Sequence, residues 1–334
     1  MRVWQINSND GIDALECVER EARDPGPGEV RVKMRASSIN YRDLATVRDP
    51  ASRNLPLPRV PNSDGAGEIV AVGPAVTGLA VGDRVAGCFF QDWEAGPCSQ
   101  RAMASALGGA LDGVLAEEVV LKERGVVPVP EHLDFAEAAT LPCAALTAWR
   151  ALVDVARVKA GDTVLLLGTG GVSVFALQFA RLLGVRAIIT SSSEEKLARA
   201  RELGAWEAVN YVARPDWDQE VSALTGGRGV DAVIEVGGAG TLERSIAATR
   251  VAGTIILIGV LTGGQINPVM VMRKSIRLQG IYVGPRSMFT EMNRAIAFHT
   301  LKPVIHRTFS FGDAPAAFHA MAGAGHFGKI VIVV

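Results

Sequence analysis

The residues whose spacing most plainly suggests chemistry are Gly168-Thr169-Gly170-Gly171-Val172-Ser173. An apolar run, Val164 to Leu167, leads into them. It is short, branched and uncharged, so it reads as a strand buried on both faces. Val172 to Leu183 then carries apolar side chains on a helical period, at Val172, Phe175, Phe179, Leu182 and Leu183, and Gly184 stops it. The glycines therefore occupy a strand-to-helix turn, the setting a dinucleotide fingerprint requires. Gly168 allows a tight turn, and Gly170 lets backbone approach a pyrophosphate. The N–H groups of Thr169, Gly171 and Val172 open toward that anion. Where the usual G-x-G-x-x-G has its third glycine, this chain has Ser173, small enough for close helix–strand packing.

The same rhythm continues. Arg186 to Thr190 reads as a second strand, ending in Ser191-Ser192-Ser193, and a helix starts at Glu194. Val230 to Glu235 precedes Gly237-Gly238, and Thr254 to Ile258 precedes Gly259-Val260. Buried-type strands with glycine at their carboxyl ends predict a parallel sheet that binds a nucleotide. Gly237, Gly259 and Val260 are then expected to bound the cofactor with backbone groups. A fold that selects NAD places Asp or Glu at the end of the second strand, on the ribose 2′-hydroxyl. Here the three serines stand there, with Lys196 in the next helical turn. Hydroxyl donors and an ammonium suit a 2′-phosphate, so NADPH is expected before NADH. The serines can equally cap the helix.

The first 130 residues read differently. Pro25-Gly26-Pro27-Gly28 is a turn signal, after which Val30, Val32 and Met34 alternate with Arg31, Lys33 and Arg35. Glu68 to Val72 and Asp83 to Val85 are further short strands. Closely spaced short strands predict a small β-barrel.

Length and composition set the limits. The 334 residues suggest two domains, and 49% apolar residues suffice for two cores. A net charge of −1 with evenly spread Lys and Arg offers no footprint for nucleic acid. No apolar run reaches membrane-spanning length, and Met1 to Asp10 lacks a basic-then-apolar leader pattern. Cys17, Cys88, Cys98 and Cys143 form no C-x-x-C pair, as expected of reduced thiols in a cytoplasmic protein.

Several stretches carry a family resemblance: Ala36-Ser37-Ser38-Ile39-Asn40-Tyr41-Arg42-Asp43, Pro61-Asn62-Ser63-Asp64-Gly65-Ala66-Gly67-Glu68, Val81-Gly82-Asp83-Arg84-Val85, Leu141-Pro142-Cys143-Ala144-Ala145-Leu146-Thr147-Ala148-Trp149, the glycine turn, and the closing Gly328-Lys329-Ile330-Val331. In this order they resemble the medium-chain dehydrogenase/reductase superfamily. In detail the chain looks like its zinc-free quinone-oxidoreductase branch, often labelled zinc-type alcohol dehydrogenase-like. The resemblance implies an α/β fold: a GroES-like β-barrel catalytic domain plus a doubly wound parallel-sheet Rossmann domain. The implied boundaries are 1–144 for the first part of the catalytic domain, 145–282 for the Rossmann domain and 283–334 for the return segment. It also implies an active site in the interdomain cleft.

The resemblance puts zinc in doubt. A catalytic zinc takes three ligands of Cys, His and Cys or Asp type. The family's first cysteine position is Asn40, its histidine is Ser63, and the glutamate that follows is Asp64; Cys143 alone stands at a ligand position. An amide, a hydroxyl and one thiol make a poor zinc site, so no metal is expected. Without a cation to polarise oxygen, a conjugated acceptor is an easier substrate than a simple alcohol. The expected function is therefore hydride transfer to an enone, quinone or similar small molecule. Asn40 and Tyr41 are the candidate catalytic donors, and Asp64 a candidate for substrate contact. Asp43 is expected to brace the loop through a basic partner. Family position places Thr147 and Cys143 near a nicotinamide and Tyr211 near the adenosine end. Arg286, at the return to the first domain, is expected at the cofactor's carboxamide or phosphates. Trp93 could wall the pocket or fill the core. A homodimer through an edge strand following Met272 completes the expectation. The alternatives are an alcohol dehydrogenase and a nucleotide-binding protein without turnover.

Overall fold

The computed structural model describes residues 1–259 and 261–334. Its strands, in chain order, are β1 (Arg2–Ile6), β2 (Leu15–Glu19), β3 (Glu29–Ile39), β4 (Asp64–Val72), β5 (Arg84–Gly87), β6 (Glu118–Lys122), β7 (Val126–Pro128), β8 (Thr163–Leu166), β9 (Arg186–Ser191), β10 (Glu207–Asn210), β11 (Val230–Glu235), β12 (Thr249–Leu257), β13 (Arg277–Gly280), β14 (Ile305–Ser310) and β15 (Lys329–Val333). The chain divides into two compact units, Met1–Leu146 with Val283–Val334, and Thr147–Tyr282.

In the first unit the long strand β3 is central. It pairs antiparallel with β4, β6 and β15, in a sheet ordered β14-β15-β3-β4-β5-β7 with β6 also against β3. The alternation of Val30, Val32 and Met34 with charged neighbours sends those three side chains into the core, beside Ile69, Val85, Val114 and Leu121. The C-terminal strand β15 is apolar after its first residue, and Ile330, Val331 and Ile332 are all fully buried. That first residue, Lys329, is just as buried. The return segment thus completes the sheet built on β3.

The second unit is a six-stranded parallel sheet ordered β10-β9-β8-β11-β12-β13. Strands β8 and β11 are buried along their whole length, as strands covered on both faces must be. The predicted helix after the glycines spans Gly171–Leu182 and buries Val174, Phe175 and Phe179. Phe175 stacks on Phe179 one turn later, and Trp149 meets Phe179 edge-on. Gly184, at φ +69, ends the run. The expected strand Thr254 to Ile258 begins earlier and bends, because β12 runs from Thr249 with a register shift against β11. The stretch from Met272 is first helical, Pro268–Arg273, and only then becomes the edge strand β13. Among the described residues no helix is long and apolar enough to cross a membrane.

From β8 the chain steps outward to β9 and β10, then returns to β11 and steps the other way. The order reverses between β8 and β11, and open α/β sheets bind ligands outside the carboxyl ends of such neighbours.

Candidate active site and cofactor site

Two clusters of polar groups stand out, one in each unit. In the second unit the carboxyl ends of β8 and β11 carry the glycine turns. Gly168 sits at φ +71, a conformation that requires glycine. Its N–H donates to Thr190 Oγ1 at 3.1 Å, which ties the turn to the end of β9. Thr169 is buried, and Gly170 immediately precedes the helix that starts at Gly171. Val172 lies in the first helical turn, which carries no acidic residue. Ser173, in the third-glycine position, is buried and donates from Oγ to Leu167 O at 2.6 Å. The hydroxyl thus bonds to the end of the strand segment that a glycine would merely allow to approach.

At the end of β9, Ser191 is buried and Ser192 exposed. Ser193 caps the helix Glu194–Glu202, its Oγ accepting from Lys196 N at 3.3 Å. Burial pulls the Lys196 ammonium below its ordinary pKa, against the neighbouring Glu195. Glu194 accepts from Asn210 Nδ2 at 2.6 Å. Tyr211 donates its N–H to Ser191 O at 3.1 Å and leaves its ring exposed. Thr147 is buried in the turn Leu146–Trp149.

Beyond β11, Gly237 is held by a residue that sequence reasoning missed. Glu235 is fully buried, and its Oε1 accepts from Gly237 N at 2.7 Å, Gly238 N at 3.1 Å and Thr241 Oγ1 at 2.7 Å, while Oε2 accepts from Ser245 Oγ. An acid closing an apolar strand just before a Gly-Gly turn was the available signal. Gly259 lies against Val236; a Cβ there would stand 1.7 Å from Val236 O, so only glycine lets the two strand ends approach. Val260 lies outside the described residues.

In the first unit the family's metal-ligand positions come together as a hydrogen-bonded chain. Asn40 is 8% exposed and precedes the helix Tyr41–Arg48. Its Oδ1 accepts from Lys329 Nζ at 2.6 Å, and its Nδ2 lies 3.4 Å from Ser63 Oγ. Ser63 Oγ donates to Asp64 Oδ1 at 2.6 Å, and Asp64 Oδ2 accepts from Cys143 N at 3.0 Å. Burial pushes the Asp64 carboxyl up to about 6, although the positive charge of Lys329 and the hydrogen bonds from Ser63 and Asn40 pull the other way. Burial, with Asp64 beside it, also pushes the Cys143 thiol far up, so it stays protonated. Asp43 accepts from Asn40 N at 2.8 Å and pairs with Arg42 at 3.2 Å, while Arg42 NH1 also donates to Leu107 O. Tyr41 is half-exposed at the start of the helix and lies outside this chain of bonds.

Lys329 is the second residue sequence reasoning missed. It is 2% exposed and also donates to Ile39 O at 2.8 Å. A lysine opening a strand that is otherwise apolar on both faces was the signal. Trp93 is buried against Phe90, with Nε1 donating to Gly96 O, so it fills the core. Arg286 donates from Nε to Val126 O at 2.9 Å and from its backbone to Trp93 O, fastening the helix Arg286–Phe298 to the barrel.

Comparison with known proteins agrees with both halves. A model of the alcohol dehydrogenase GroES-like domain matches residues 26–131, and one of the zinc-binding dehydrogenases matches residues 171–297. The zinc-type alcohol dehydrogenase-like protein C1773.06c of Schizosaccharomyces pombe is 41% identical over 97% of this chain and 96% of its own length. A quinone oxidoreductase of Pseudomonas aeruginosa is 34% identical over 78% of this chain and 73% of its own length. Among solved structures, a putative alcohol dehydrogenase from Sinorhizobium meliloti superposes with a TM-score of 0.93 at 41% identity, covering 100% of this chain and 98% of that one. The mycobacterial protein Rv1454c, complexed with NADPH, superposes at 0.84 with 28% identity and full coverage of both chains. A GroES-like unit built around β3 and a Rossmann-type sheet that reverses at β8 and β11, matched over their whole extent by such relatives, make this chain an oxidoreductase of the medium-chain dehydrogenase/reductase superfamily.

Proposed function

We propose that this chain is a metal-independent reductase that uses NADPH to reduce an activated double bond or carbonyl in a small molecule such as an enone or quinone. The observation that carries the reading is the lysine ammonium bonded at 2.6 Å to Asn40 Oδ1. An amide oxygen already taken by a cation and a hydroxyl that donates to Asp64, with a single thiol beside them, are a poor ligand set for a divalent metal. The family model named for zinc binding matches residues 171–297, outside Asn40, Ser63 and Cys143, and so carries none of those positions.

The residues of the second unit fit a dinucleotide. Thr169, Gly170, Gly171 and Val172 would hold the pyrophosphate at the helix start, and Gly237 and Gly259 would bound the nicotinamide half. Ser191, Ser192, Ser193, Lys196 and Tyr211 would meet the 2′-phosphate end, and the lack of a carboxylate at the end of β9 favours NADPH. Thr147 and Arg286 keep their family assignments to the cofactor. When bound, a reduced nicotinamide supplies a hydride.

The chain's own residues receive the charge that follows. As carbon gains the hydride, an electron pair moves onto the acceptor's oxygen, where the Asn40 Nδ2 group is the donor. The proton that completes the reduction comes from solvent, directly or through Tyr41, exposed in the next position and reprotonated by solvent. Asp64, fully buried, holds Ser63 and the Cys143 backbone in place instead of touching substrate. Four free cysteines suit a reducing, cytoplasmic setting. The exposed Val269 and Met272 beside the edge strand β13 support a homodimer, which light scattering would test.

The decisive experiment follows NADPH oxidation with a panel of a quinone, an enone, a saturated aldehyde and, in reverse, a primary alcohol, alongside metal analysis. Turnover of the quinone or enone, indifferent to chelator and with substoichiometric zinc, is expected. Stoichiometric zinc lost together with activity, or turnover confined to alcohols, overturns the reading. Cofactor choice has its own test. Lys196→Glu should weaken NADPH binding more than NADH binding, and equal losses would refute the assignment.

A further inference from the structure

We propose that Lys329 is a positioning residue for the reduction: its buried ammonium fixes the Asn40 amide in one orientation and polarises it, making Nδ2 a preset donor for an oxygen that gains negative charge. The inference rests on the reductase reading for its chemistry, but its geometry stands apart from it.

The orientation follows from the inventory of donors and acceptors. A lysine ammonium only donates, so the Asn40 atom 2.6 Å from Nζ must be the oxygen. The nitrogen then faces the other way, toward Ser63. The Asn40 backbone is held as well. Its N–H is taken by Asp43, and its carbonyl receives Asp43 N at 2.9 Å at the start of the helix. The side chain is thus tied at its oxygen and at its root.

The nitrogen is held less tightly than the oxygen. It lies a long 3.4 Å from Ser63 Oγ and also acts on Asp64, while Ser63 gives its own proton to Asp64 at 2.6 Å; an amide nitrogen carries two N–H donors, so one is left for a ligand. Ser63 and Asp64 are fully buried and Lys329 nearly so, whereas Asn40 keeps 8% of its surface open and Cys143 is half-buried. A ligand reaching this network meets Asn40 and Cys143 first. A positive charge bonded to the amide oxygen draws electron density from nitrogen, so each N–H becomes a stronger donor in these low-dielectric surroundings. Burial pulls the Lys329 ammonium below its ordinary pKa, and the facing Asp64, Cys143 and Asp43 act in the opposite sense to keep it charged.

If Lys329 served only to anchor β15 at Ile39 O, its loss would lower stability and leave catalysis to the folded fraction unchanged. The test compares steady-state reduction of an enone by the wild type, Lys329→Met, Lys329→Arg, Asn40→Ala and the double variant Lys329→Met/Asn40→Ala, each checked for folding by near-UV circular dichroism. Asn40→Ala should lower kcat about 100-fold, as loss of an oxyanion donor does. Lys329→Met should lower it about 30-fold, with KM and NADPH affinity changed less than about threefold, and the double variant should be no worse than Asn40→Ala alone. Lys329→Arg, which restores a cationic donor, should recover most of the rate. A Lys329→Met variant that keeps kcat within about twofold, or losses that multiply in the double variant, overturn the proposal.

A second readout needs no turnover. The Asn40 side-chain amide resonances of the cofactor-free protein, assigned by their loss in Asn40→Asp, should shift in Lys329→Met and return toward wild type in Lys329→Arg. Unshifted resonances overturn the positioning role even where the enone is reduced. Shifted resonances in a protein that reduces nothing on the panel support the positioning role and reject the reductase reading. If Lys329→Met does not fold, Lys329→Gln takes its place in both arms.

Discussion

Asp64 and Glu235 are both fully buried carboxylates, one in each unit, and they are surrounded in different ways. Glu235 collects two backbone N–H groups from its strand-end turn and two hydroxyls from the helix Ala239–Ala248 that follows. Asp64 receives the Ser63 hydroxyl, the Asn40 amide and one distant backbone N–H, and Lys329 acts on it through space. The first carboxylate is locked by donors from the turn and helix that directly follow it in the chain. The second depends on groups brought from β15, the helix start at Asn40 and the Leu141–Ala145 turn. A carboxylate rich in donors builds a rigid turn, and one with fewer donors and near a cation stays sensitive to its surroundings. The cofactor unit thus uses burial for shape, and the barrel unit uses it to tune charge.

Removing Glu235 should have the largest effect. Glu235→Ala takes the acceptor from four donors at once, two of them in fully buried bonds, and should cost about 3–5 kcal/mol in chemical denaturation, with cofactor affinity falling in step. A loss below about 1 kcal/mol would erase the contrast. Asp64 should be felt through pH. Its folded pKa, at about 6, lies above the ordinary 3.8, so the native state holds this proton more tightly than the unfolded chain. That contribution is fully present below the ordinary value and is lost as pH rises toward the folded one, by up to about 3 kcal/mol. Asp64→Asn should remove this slope from a stability profile taken between those two values, and an unchanged slope would contradict the assignment. Asp231, at the start of β11, should behave with the opposite sign and least effect. Burial opposes its ionisation, but Arg228, the Thr163 N–H and Arg250 overcome that and hold it at about 2. Its stabilisation is present above the ordinary carboxylate value and lost as pH falls toward the folded one. Asp231→Asn should cost about 1–2 kcal/mol near neutrality, chiefly through the loss of the charge paired with Arg228 and Arg250, since the amide oxygen still accepts from Thr163 N–H.

Much of this was legible in the chain. Strand β11 runs Val230–Glu235 as its apolar pattern predicts, and the helix after the glycines starts one residue earlier than its period suggests. These succeed because period and punctuation are local. Lys329 and Glu235 escaped because their meaning is not local. Lys329 lies 289 residues from the amide it holds, and nothing at its own position marks the partner. Glu235 ends a strand whose pattern reads complete without it. Ser193 showed the reverse difficulty: cap and ligand contact draw on the same residue type, and the structure adds the cap.

The protonated state of the half-buried Cys143 thiol has a consequence for endurance. Quinones and enones are electrophiles that alkylate thiolates, so a catalyst of their reduction risks being consumed by its own substrate. A thiol kept protonated reacts slowly with them. Iodoacetamide should therefore label the exposed Cys98 well before Cys143, and a faster Cys143 would show that this protection is missing.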